Sequence, residues 1–127
     1  MAVPVEETLH FCMGMATDRQ ISAALRSNPP RGLAAVRKLA EEWMAVEESI
    51  VGGLVMRVLA DFSARHRLHL PQSVADQMNS PAPSIHQYRY RDRGLRLVKK
   101  LGFREAAAMY MDNPSNFKDA LFRQPKV

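Results

Sequence analysis

Cysteine is all but absent from this chain: Cys12 is the single one among 127 residues. No intramolecular disulfide can form, and no zinc site built on paired cysteines is available. Uncharged apolar runs of about eighteen residues, the length a membrane helix needs, are missing as well. So is the alternation of β-branched and polar residues that marks a half-buried strand, and without a strand no strand–glycine loop–helix phosphate cradle can be drawn. The charged residues between Met1 and Thr17 are Glu6 and Glu7, where a secretory or transit peptide carries basic ones. A chain that stays in a reducing cytoplasm, away from the membrane, is expected.

What is present reads as helix. Apolar residues make up 46 % and charged residues 24 %, ordinary globular values, with Ala, Leu, Met, Arg and Glu prominent. The expected fold class is all-α: one compact bundle of about five to seven helices, a single helical domain over 1–127, with one long central helix. A first helix is expected from Glu6 to Met15, burying Leu9, Phe11 or Cys12, and Met13. Thr17 and Asp18 offer a cap for a second, Asp18 to Ser27, and Asn28-Pro29-Pro30 stops it.

From Arg31 the residues Val36, Leu39, Trp43, Val46, Ile50, Leu54, Val58 and Phe62 recur every three or four positions. They trace one helical stripe that keeps its phase across Gly52-Gly53. Because phase is kept, the spacing favours one long helix with another backbone packed at the glycines over an antiparallel pair. Pro71 opens a short helix to Met78, the 79–84 segment is a connector, and Ser84 can cap the helix that follows. Leu101-Gly102-Phe103 and Asn113-Pro114-Ser115 mark further joints, with Ser115 the expected cap of a last helix ending at Phe122.

Charge is divided unevenly. Residues 1–63 hold six Lys/Arg against eight Asp/Glu, an acidic-to-neutral half; residues 64–127 hold twelve against five, a net of +7. The overall charge of +5 therefore resides in the second half, and clustered cations point to a polyanionic partner. The densest stretch is Gln87 to Lys100, QYRYRDRGLRLVKK, with six Arg/Lys in fourteen positions.

The segment Gln72 to Tyr88, QSVADQMNSPAPSIHQY, leads into it and resembles the helix-turn-helix of DNA-binding domains. Ala75 stands where the first helix needs a small residue, Asn79 where the turn requires a left-handed conformation, and Ile85 at the buried position of the recognition helix. Ser80 departs from the usual apolar residue, and Pro81 with Pro83 stiffens the turn. The resemblance covers about a sixth of the chain, inside a helix-turn-helix-like region 71–101. It implies that Ser84, His86, Gln87 and Arg89 face bases.

On a helical wheel Arg89, Arg93, Arg96 and Lys100 fall in one stripe about 60° wide, with Tyr88 and Tyr90 on the opposite, apolar side. Those cations can track phosphates. The leading expectation is a small non-enzymatic regulatory protein that binds nucleic acid, duplex DNA ahead of RNA. The alternative is a helical adaptor, inhibitor or anti-activator that meets an acidic protein surface, the basic face then being ordinary solvated helix.

Residues for chemistry are sparse. His66 and His69 lack a completing ligand, and His10 near Cys12 lacks a third member for nucleophilic catalysis. Glu41 and Glu42 follow Arg37 and Lys38 by four positions, as on a salt-laced outer face. No catalytic residue, metal site or cofactor is therefore expected. Met13, Met15, Met44, Met56, Met78, Met109 and Met111 are expected mostly to fill the core. The Gly52-Gly53 notch offers a seam for a homodimer.

Overall fold

The computed structural model describes residues 2–66 and 88–124. All the regular structure among them is helical, in five helices packed together: α1 (Ala2–Ser27), α2 (Leu33–His66), α3 (Arg91–Leu101), α4 (Phe103–Asp112) and α5 (Pro114–Phe122). None of them is long and apolar enough to cross a membrane. The expected short helix from Pro71, the connector at 79–84, and with them Ala75, Asn79, Ser84, Ile85, His86 and Gln87, lie outside the described residues.

The first helix does not break at Thr17. Its 26 residues run on because the Thr17 side chain, 3 % exposed, points into the bundle instead of capping a new turn. Of the residues expected inside, Met13 is buried, Cys12 is partly covered, and Phe11 faces outward at 73 % exposure. The turn to α2 uses Gly32 at φ +92, a left-handed conformation that glycine alone adopts without strain.

α2 extends over 34 residues, roughly 50 Å at helical rise, and is the scaffold on which α1 and α3 both pack. Trp43, Val46, Ile50 and Leu54 from the expected stripe are buried, whereas Phe62 is exposed. Ala45, Ser49, Val51, Gly53 and Val55 are buried too. Consecutive buried positions cover more than one stripe, as a helix enclosed on two sides requires.

The glycines explain the second side. A Cβ on Gly53 would lie 2.5 Å from Val98 Cγ2, and one on Gly94 would overlap the Ser49 carbonyl. Ser49 and Gly53, four apart on α2, thus meet Gly94 and Val98, four apart on α3. The two helices run in the same direction at close approach. This half of the notch, read as a dimer seam from sequence, is filled by α3 of the same chain, while Gly52 has open space around it.

One turn beyond Val98, Gly102 at φ +88 separates α3 from α4. Asn113, not Ser115, caps α5: its Oδ1 accepts from the Ser115 backbone N–H at 3.1 Å, with Pro114 in the first turn. Tyr110 and Phe117 are fully buried and meet edge to face at 5.5 Å. With Met13, Ala16, Leu97, Val98, Ala106 and Leu121 they close the core against α2. The methionines fill less of it than expected: Met13 is buried, but Met15, Met44 and Met111 are exposed.

Candidate functional site

The basic stretch does not form the continuous ridge that the wheel draws. Residues 88–90 form a turn that begins with 3-10 geometry, and the α-helix starts at Arg91. Arg89 is therefore out of phase with Arg93, Arg96 and Lys100. Its guanidinium donates to Glu42 Oε2 on α2. The Tyr90 hydroxyl donates to Glu42 Oε1 at 2.7 Å, and Lys118 Nζ lies 3.9 Å from the same oxygen. Glu42 thus pairs across the bundle with the basic half, rather than forming only the local outer-face pairs expected from Lys38.

Aromatic rings surround these charges. Arg89 lies 4.8 Å from the Tyr90 ring centre, Arg93 5.9 Å from Phe122, and Lys118 4.9 Å from Trp43 and 5.6 Å from Phe122. Tyr90 and Phe122 are themselves tilted together at 5.2 Å. Partial burial would raise the Glu42 carboxyl, but hydrogen bonds from Tyr90 and Arg89 and the charges of Arg89 and Lys118 outweigh it and hold the group below its usual range. Arg89 thereby joins the turn before α3 to α2, and Arg93 lies over the Phe122 ring of α5. Arg96 is half-buried, and Lys100, beside Lys99, is exposed.

A second polar cluster joins α1 to α2, and sequence reading missed it. His10 Nδ1 lies 2.7 Å from Glu47 Oε2 and donates its N–H to that carboxylate. Thr17 Oγ1 is 2.6 Å from both Glu47 Oε1 and the Tyr110 hydroxyl. One donor order fits: Tyr110 donates to Thr17, and Thr17 donates to the carboxylate, with the Met13 carbonyl a longer alternative at 3.1 Å. On the outer side His10 Nε2 faces Glu48 Oε1 at 3.3 Å and Glu6 Oε1 at 4.0 Å. Burial, together with Glu6 and Glu47, raises the Glu48 carboxyl against the opposing pull of His10, and burial raises the Tyr110 hydroxyl well above a usual phenol.

This order of groups is wrong for nucleophilic catalysis. A hydroxyl nucleophile needs the imidazole as its base, with a carboxylate behind it. Here the carboxylate stands between hydroxyl and imidazole, and Thr17 is buried. The one sequence trace of the cluster is the spacing of Glu6 and His10, four apart on a helix; nothing local announces that Glu47, Thr17 and Tyr110 meet.

A third feature lies between the second half of α2 and α3. Gly53, Met56, Ala60, Leu95 and Val98 line an open cavity of about 360 Å³ with Arg57 and Lys99 around it. Gly53, lacking a side chain, lets α3 approach, and α3 supplies Leu95 and Val98 as the far wall. Arg57 is bridged to Asp61 at 3.3 Å.

Compared with known protein families, with curated proteins and with solved structures, the chain matches none.

Proposed function

We propose that this protein acts by binding, and that its ligand is an amphipathic helix of a partner protein carrying carboxylates beside its apolar face, seated between α2 and α3. The observation that carries this reading is the composition of that hollow: an apolar floor of Met56, Ala60, Leu95 and Val98 with Arg57 and Lys99 at its edges. An apolar floor rewards side chains of the kind that helix-in-groove recognition uses. Phosphates gain nothing from it. Arg89 is also paired with Glu42 within the chain, and Arg93 lies over the Phe122 ring.

Duplex DNA is the competing ligand, favoured by the exposure of Lys99, Lys100 and Arg104 around the α3–α4 joint. The two are separated by titrating isotope-labelled protein with a synthetic Leu/Glu amphipathic helix and, separately, with a DNA duplex. The expected result is peptide-dependent shifts at Met56, Leu95 and Val98 that disappear in Leu95→Asp. DNA binding with a steep salt dependence that flattens in Lys99→Gln/Lys100→Gln, without peptide shifts in the hollow, would replace this reading by the nucleic-acid one.

A further inference from the structure

Three carboxylates and an imidazole converge where α1 crosses Glu47 and Glu48, an arrangement absent from the sequence expectations, which held no metal site. We propose that Glu6, His10 and Glu48 bind a divalent transition-metal ion, with Zn²⁺ the best match, and that Glu47 positions His10 for it.

The donor atoms have the necessary spacing. Glu6, His10 and Glu48 each offer one ligand atom, all within 4.8 Å of one another. Ligands of a tetrahedral zinc ion at about 2.0–2.2 Å stand about 3.3–3.6 Å apart. His10 Nε2 and Glu48 Oε1 are 3.3 Å apart. Glu6 Oε1, 4.0 Å from Nε2, belongs to a half-exposed side chain that a small torsional change brings in. Mixed imidazole and carboxylate donors suit zinc and its neighbours better than calcium or magnesium, which favour all-oxygen sites.

The histidine sets this cluster apart from an acidic surface patch. Its Nδ1–H is directed at Glu47, which is not one of the three ligands and is fixed from the core by Thr17, itself bonded to Tyr110. That is the carboxylate–histidine–metal relationship in which the remaining nitrogen presents its lone pair to the ion. Here Nε2 faces two further carboxylates, Glu48 at 3.3 Å and Glu6 at 4.0 Å. A water completes four-coordination, and the ion pins α1 to α2.

Calorimetric titration of the full chain with ZnCl₂, paired with thermal unfolding in EDTA and in Zn²⁺, tests the site. Saturable 1:1 binding with a rise in Tm is expected. Glu6→Gln, a half-exposed change that leaves the core intact, and Glu48→Gln should each weaken it at least about tenfold, Glu47→Gln about 10–100-fold, and His10→Gln should abolish it. Zinc binding of equal strength in His10→Gln would assign the metal to other donors and overturn the proposal. So would the absence of saturable binding to the full chain.

Discussion

Gly94 on α3 packs against the Ser49 carbonyl on α2 so closely that no Cβ fits between them. One glycine thereby sets the distance between the two helices. Gly94→Ala forces the backbones apart and should destabilise the protein by about 2 kcal/mol or more. Gly52, with nothing within 4 Å of its missing Cβ, makes the opposite prediction: Gly52→Ala should stabilise by about 0.5–1 kcal/mol through helix propensity. Urea unfolding of the two variants measures both signs.

Glu42 makes the docking of α3 sensitive to acid. Its folded carboxyl is held below the ordinary 4.5. Its contribution is therefore complete above that value and is lost as pH falls through the lower, folded one. Wild-type Tm should drop below pH 4.5 more steeply than that of Glu42→Gln, with a difference on the order of 1 kcal/mol after allowance for partial exposure. Equal acid limbs would remove Glu42 as the cause.

The same cluster separates two cations that the sequence placed on one ridge. Arg89→Gln removes the guanidinium from Glu42 and should cost on the order of 1 kcal/mol. Lys100→Gln alters an exposed side chain and should stay within about 0.5 kcal/mol of wild type. Chemical denaturation distinguishes them without any ligand.

Inside the bundle, the order of donors from Tyr110 to Thr17 to Glu47 ranks two substitutions. Tyr110→Phe removes a terminal donor and leaves the Thr17–Glu47 bond in place, for about 1 kcal/mol; Thr17→Val takes the partner from both the buried phenol and Glu47 Oε1, leaving only the His10 bond on that carboxylate, and should cost more, about 2–3 kcal/mol. A larger loss for Tyr110→Phe than for Thr17→Val would refute the order.

The helical class was legible because periodicity and residue usage agree, and the phase of Val46, Ile50 and Leu54 carries across the glycines. The joints at Gly102 and Asn113 were legible because backbone chemistry is local. Thr17 was read as a cap because Thr before Asp is a common helix start; its actual partners are 30 and 93 residues away. Arg89 joined the wheel on the assumption that the helix begins near Ile85, whereas the described α-helix begins at Arg91. At that position Arg89 reaches Glu42 on α2. Ser84, His86 and Gln87 fall outside the described residues, so their proposed base contacts stay tied to the helix-turn-helix resemblance. The His10 cluster left almost no local trace, because it is assembled by pairing two helices.

The partners of α2 also impose an order on synthesis. α1 and α2 can pair as soon as both have left the ribosome, and His10 then reaches Glu47 without help from the rest of the chain. Glu42 must wait for Arg89 and Tyr90, and Thr17 for Tyr110, 93 residues after it. During that interval the apolar surface that α3 will cover on α2 stands open. Gly94 and Val98, which fill the space at Ser49 and Gly53, arrive about 45 residues after them, so that contact closes late.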